Sequence, residues 1–156
     1  MFQDTIIDRI LAHLEHVEEL PYQLIVITAP SSSGKTAILQ ELSRIKHYPL
    51  INVNLQLADR LKELSKSQRS LRADQILTEI VAQSGNSPVL LDNIEILFDV
   101  SLKINPLSLL QKLSRNRPII ASWNGSLDGS RLSYARQGHA EYGNYDLEDT
   151  IVVSLD

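Results

Sequence analysis

Apolar positions along this chain follow helical spacing in some stretches and run continuously in others, and the switches between the two predict most of its elements. Over residues 4–20, Ile6, Ile7, Ile10, Leu11, Leu14 and Val17 return every three or four positions, as on one face of a helix. Leu20-Pro21-Tyr22 ends that pattern, and residues 24–28 form an unbroken apolar or β-branched run, the mark of a strand covered on both faces. Helical spacing returns over residues 37–46 with Ile38, Leu42 and Ile45. His47-Tyr48-Pro49 interrupts it before a short strand at 50–53. Residues 57–64 and 73–82 read as two more helices separated by the polar segment 65–70. A turn at Ser84-Gly85-Asn86-Ser87 precedes a third strand, 88–92. Residues 106–113 form a helix with Asn105 as cap and Pro106 at its first position. A fourth strand, 118–123, is closed by Asn124-Gly125, and residues 151–155 supply a fifth. Strands alternating with helices in this way predict an α/β domain with helical crossovers, a single domain over residues 1–156.

Residues 125–148 depart from both periods. Gly125, Gly129, Gly138 and Gly143 punctuate a segment containing Tyr134, His139, Tyr142 and Tyr145, which predicts a hairpin or an ordered surface loop.

Composition narrows the class. A 43% hydrophobic fraction suits a globular chain, and the absence of cysteine removes disulfides and cysteine-ligated metal sites and points to a reducing compartment. The start, MFQDTIIDRI, carries acids where a secretion signal carries bases, and no apolar run reaches membrane-spanning length, so a cytoplasmic protein without membrane contact is expected. Net charge is -4, which argues against a surface that grips DNA everywhere. Residues 60–72 are the local exception, with Arg60, Lys62, Lys66, Arg69 and Arg72 against Glu63 alone. This is a solvated face or a contact for DNA, and no interleaved aromatic residue offers a base to stack on.

The chemistry concentrates where the first strand ends, in LIVITAPSSSGKT. Residues 29–36 follow G-x-x-x-x-G-K-[ST], the Walker A phosphate loop, with Ala29 in place of the first glycine. In such a loop Ala29, Pro30, Ser31, Ser32, Ser33, Gly34 and Ala37 surround the phosphates, with backbone N–H groups (Pro30, which has none, excepted) and serine hydroxyls as donors, while Lys35 reaches the terminal phosphates and Thr36 places its hydroxyl on Mg²⁺. Ala29 costs roughly 1 kcal/mol if its position needs a positive φ and little if it ends the strand. Asp92, closing an apolar strand, is the matching acid for the metal. Glu95 is the candidate base, Asn124 a candidate for holding the attacking water or sensing the γ-phosphate, and Arg115 or Arg117 a candidate for stabilising phosphate charge across a subunit interface. Tyr22, just before the strand, is placed to face adenine or to serve the core.

With LIVITAPSSSGKT, PLINVNL, VLLDNIEILFD and LSRNRPIIASWNG together, the chain resembles the BrxF-like small P-loop proteins of type III bacteriophage-exclusion (BREX) defence systems over nearly its full length. More broadly it is similar to the core of additional-strand, AAA-like ATPases. The resemblance implies a three-layer P-loop NTPase core with a mostly parallel five-stranded sheet in the order 5-1-4-3-2, an N-terminal helix before it and no lid domain. It implies ATP and Mg²⁺ as ligands, and a bacterial or archaeal cytoplasmic protein working beside a larger ATPase, a DNA methyltransferase and a phosphatase-like component in phage resistance, with self-association as a further expectation. ATP is expected over GTP, since no Asn/Thr-Lys-x-Asp guanine motif is present. The chain departs from the ATPase pattern at Ala29 and at Asn93, which stands where a catalytic Glu usually follows the metal-binding acid.

The expected function is ATP binding with slow or partner-stimulated hydrolysis. The alternatives are a nucleotide-dependent scaffold without turnover, a small nucleotide kinase, and a DNA-binding subunit acting through residues 60–72 or through Arg131 and Arg136.

Overall fold

The computed structural model describes residues 2–29, 34–134 and 143–155. Helix α1 (Phe2–Leu14) stops short of the apolar pattern that predicted it, and Val17 reaches the core from a separate 3₁₀ turn, Val17–Glu19. Strand β1 (Leu24–Ala29) is buried at every position. Then follow α2 (Lys35–Lys46), β2 (Leu50–Asn52), α3 (Val53–Leu61), α4 (Lys66–Ala82) and β3 (Val89–Asp92). Two 3₁₀ turns, Glu95–Phe98 and Val100–Leu102, lead to α5 (Pro106–Leu113), β4 (Ile119–Asp128), β5 (Arg131–Tyr134), β6 (Gly143–Asp146) and β7 (Ile151–Ser154).

Five parallel strands form the central sheet in the order β2-β3-β4-β1-β7. Numbered by their succession in the core, that is 5-1-4-3-2, as the resemblance implies. Because successive residues of a strand face opposite sides, each strand feeds two apolar clusters. Ile25, Ile27, Leu90 and Ile120 pack with α1 and α2, whereas Val26, Leu91, Ala121 and Trp123 pack with α3, α4 and α5. The outcome is three layers, helices on both faces of a sheet, with the carboxyl ends of β1, β3 and β4 side by side.

Helix boundaries after β2 differ from the sequence reading. Asn52 caps α3, its Oδ1 accepting from Leu55 N (3.0 Å), so the helix begins ahead of residue 57. Segment 65–70 is not a separator: Ser65 and Gln68 form a reciprocal capping box that starts α4. Folding also disperses the basic surplus of residues 60–72. Arg60 pairs with Glu79 (3.0 Å), Lys62 with Asp59 (2.9 Å), and Arg69 Nε donates to the carbonyls of Leu61 and Leu64.

The largest correction concerns Asn124-Gly125, which does not close the fourth strand. Strand β4 runs on to Asp128 and turns there into an antiparallel ribbon with β5 and β6. Trp123 directs this continuation, its Nε1 donating to Ser133 O (2.9 Å). Gly125 permits it, since a Cβ there would stand 1.7 Å from Ser133 O. Leu132, Tyr134 and Tyr145 bring the ribbon down on Phe98, whose ring stacks on Tyr134 with centroids 3.5 Å apart. The hairpin reading of residues 125–148 is thus correct for the described part; Arg136, Gly138, His139 and Tyr142 lie outside the described residues.

Candidate functional site

Three strand ends and the start of α2 converge at one edge of the sheet. Gly34, at φ 93°, caps α2 in the left-handed region, where glycine is favoured; nothing crowds its missing side chain, so the backbone alone explains the residue. Ala29 is the last residue of β1, its φ not positive, and the substitution of the first loop glycine therefore costs little. Pro30, Ser31, Ser32 and Ser33 lie outside the described residues. Lys35, 6% exposed, folds back so that Nζ donates to Ala29 O (3.0 Å). Ala37 occupies the same first turn, tied to α1 by Gln3 Nε2 (3.1 Å).

Thr36 Oγ1 donates to Asp92 Oδ2 at 2.7 Å, joining α2 to the end of β3. The other carboxylate oxygen, Oδ1, accepts from Ser122 Oγ on β4 at 2.6 Å. Asp92 is 5% exposed, so a carboxylate with little access to water is held by two hydroxyls. Asn124, half-buried, lies opposite Ala29 in the β1–β4 register. That puts it on the face of β4 that carries Ser122 and beside the carboxyl end of β1. Hydroxyl and carboxylate oxygens suit Mg²⁺, a hard cation that favours oxygen ligands, and Thr36 and Asp92 are the residues here that fit it.

Beyond Asp92 the chain is not extended. Asn93 takes φ 52°, a left-handed conformation that asparagine tolerates, and a 3₁₀ turn starts at Glu95. The reversal keeps Glu95 close to Asp92. Burial, then the neighbouring Asp92 charge, raise the Glu95 pKa above the usual 4.5, against the lowering pull of the Asn54 hydrogen bond and of Lys35. Asn54, in the first turn of α3, organises this corner. Its N–H donates to Asn93 O (2.8 Å), its Oδ1 accepts from Ile96 N (2.7 Å), and its Nδ2 donates to Glu95 Oε1 (3.3 Å). Outside that clamp a groove of about 490 Å³ opens between Asn52, Asn54, Leu55, Lys62 and Asn93; Lys35, Thr36 and Asp92 do not line it.

Structure therefore gathers Ala29, Gly34, Lys35, Thr36, Ala37, Asp92, Glu95 and Asn124. It does not bring Tyr22, Arg115 or Arg117 to them. Tyr22 precedes β1 and meets Arg115, whose guanidinium lies 5.6 Å from its ring centre, while Arg117 donates to Val81 O (3.3 Å). All three sit at the amino ends of β1 and β4, the length of β1, about 16 Å, from the strand ends that carry Ala29 and Asn124. Tyr22, Arg115 and Arg117 thus make their contacts at the opposite end of β1 from Lys35, Thr36 and Asp92.

Sequence reading missed two polar residues at the site. Ser122 was legible as the one hydroxyl inside an apolar central strand, on the face set by Ile120. Asn54 carried no such signal, because its role depends on where α3 begins.

No family model and no curated protein matches this chain. Among solved structures, that of PCH-2 from C. elegans aligns over 81% of this chain and 39% of its own, with 20% identity and a TM-score of 0.46. The chain spans about two fifths of the length of that structure. Among the described residues, no helix is long and apolar enough to cross a membrane.

Proposed function

We propose that this protein binds ATP with Mg²⁺ at the carboxyl edge of the sheet and hydrolyses it slowly. The observation that carries this reading is the Thr36–Asp92 hydrogen bond, which joins a glycine-capped helix start to the acid ending the neighbouring apolar strand. Lys35 exchanges the Ala29 carbonyl for the terminal phosphates, and the amides of the first turn of α2 face their oxygens. Mg²⁺, when bound through Thr36 and Asp92, supplies charge neutralisation to the phosphoryl oxygens. Asn124 orients a water in line with the γ-phosphorus. As the new O–P bond forms and the bond to the bridging oxygen breaks, Glu95 accepts the water's proton; its raised pKa makes it a better base than an ordinary carboxylate. Asn54 holds one Glu95 oxygen and so positions this base. The resemblance of the sequence to BREX components supports the finer proposal of a subunit in an antiphage complex, with a partner or second copy accelerating turnover.

Calorimetry with Mg-ATP tests binding, and phosphate release tests turnover. Lys35→Ala is expected to weaken affinity by at least about tenfold, or 1.4 kcal/mol. Glu95→Gln is expected to retain binding and lose phosphate release. A wild-type protein indistinguishable from Lys35→Ala would overturn the proposal.

A second reading, a nucleotide-dependent scaffold without turnover, is favoured by Asn93 after Asp92 and by the hold of Asn54 on Glu95. Phosphate release abolished by Asp92→Ala counts against it.

A further inference from the structure

Asp92 lies between two parallel neighbours. The β2–β3 register sets it beside Asn52, and the β3–β4 register, with Leu91 opposite Ala121, sets it beside Ser122. Side chains at the same level of parallel strands point to the same face, so both neighbours are within reach of the carboxylate. Asn52 commits its Oδ1 to the start of α3. Ser122 donates to Asp92 Oδ1 at 2.6 Å, an ordinary distance for a charge-assisted bond from a hydroxyl to a carboxylate, and is itself only 3% exposed. A donor this buried has little water to turn to instead. By contrast, Thr36 is solvent-exposed and belongs to the segment that ligands would approach.

We propose that Ser122 is the positioning residue of the metal corner. It pins one oxygen of Asp92 from inside the sheet, so that the other stays aimed at Thr36 and at a divalent cation held there. The inference rests on the nucleotide reading above and adds to it the group that orients the acid. Two hydroxyls on two different elements, one per oxygen, fix the plane of the carboxylate. With Thr36 alone, the carboxylate is freer to turn about its Cβ–Cγ bond and Oδ1 loses its hydroxyl donor. Positioning partners of this kind act on metal affinity through the ligand they orient. Ser122 therefore governs the magnesium dependence of binding and has little influence on how the bare nucleotide is held by the loop.

Ser122→Ala removes the donor, Ser122→Cys removes most of its strength while filling the same volume, and Ser122→Thr retains the hydroxyl. ATP affinity is measured by calorimetry across a Mg²⁺ titration and again in excess chelator, with thermal melting as a check on folding. For the Ala and Cys variants, the Mg²⁺ concentration at half-maximal enhancement of binding should rise about tenfold or more. Their metal-free affinity should match wild type, and Thr should restore wild-type behaviour. Should Ala fail to fold, Cys carries the test. Equal weakening with and without metal, or an unchanged Mg²⁺ midpoint in Ala and Cys, overturns the proposal while the wild type still binds Mg-ATP. A wild type that binds no nucleotide overturns the underlying reading, and this inference falls with it.

Discussion

Glu95 combines a half-buried carboxylate, the nearby charge of Asp92 and a hydrogen bond from Asn54, and the first two outweigh the third. An acid whose pKa is raised on folding binds more protons in the native state, so its ionisation opposes folding. The penalty is absent below the unfolded pKa near 4.5 and grows as pH rises through the higher native value. Glu95→Gln is therefore expected to be more stable than wild type at neutral pH, with the advantage fading on acidification towards pH 4. Denaturant midpoints measured across pH check this; a constant difference between the two proteins would contradict it. At this scale the candidate residues were easier to pick out in the sequence than the contacts they make. Lys35, Thr36 and Asp92 announce themselves by motif and by position in apolar strands. The partners of Glu95 do not, because Asn54 reaches it from a helix whose first turn the apolar periodicity failed to mark.

The ribbon β4–β5–β6 is the element that departs furthest from expectation. Asn-Gly is a strong turn signal, and at Asn124-Gly125 it misleads because tertiary contact overrides it. Here glycine serves close approach, letting the strand pass under Ser133 O beside the Trp123 indole. Gly125→Ala should force the ribbon off β4 and lower stability by about 1–3 kcal/mol, the usual cost of overpacking a tight site. Urea unfolding measures it, and a neutral result would mean the ribbon shifts freely. The helices teach a related lesson. Apolar spacing found Leu57 and Leu61 of α3 and the buried run of α4 within 73–82, but it overran the end of α3 at Leu61, missed Val53, and missed both starts, which are set by Asn52 and by the Ser65–Gln68 box.

For the molecule as a whole, the sheet order could be obtained only by resemblance, since the hydrophobic pattern says that strands are buried and not which are neighbours. The layers themselves follow from alternation along β1, β3 and β4, whose odd and even positions supply separate apolar clusters. Trp123, the sole tryptophan, lies in the cluster shared by the ribbon and helices α3 to α5. Its fluorescence should thus redden in the same denaturant transition that removes the far-ultraviolet helical signal, as a two-state unit requires. Two separate midpoints would show that the ribbon comes away first. The basic stretch of residues 60–72 also looks different at this scale, because Asp59 and Glu79, both outside that window, temper a charge that Glu63 alone opposes in the linear text.

The backbone at Asn93 has a practical corollary for anyone redesigning this corner of the sheet. Grafting a glutamate there, to imitate the commoner order of acids, would set a residue ill suited to a left-handed bend at φ 52°, at roughly 1 kcal/mol. It would also disturb the hinge that returns Glu95 towards Asp92.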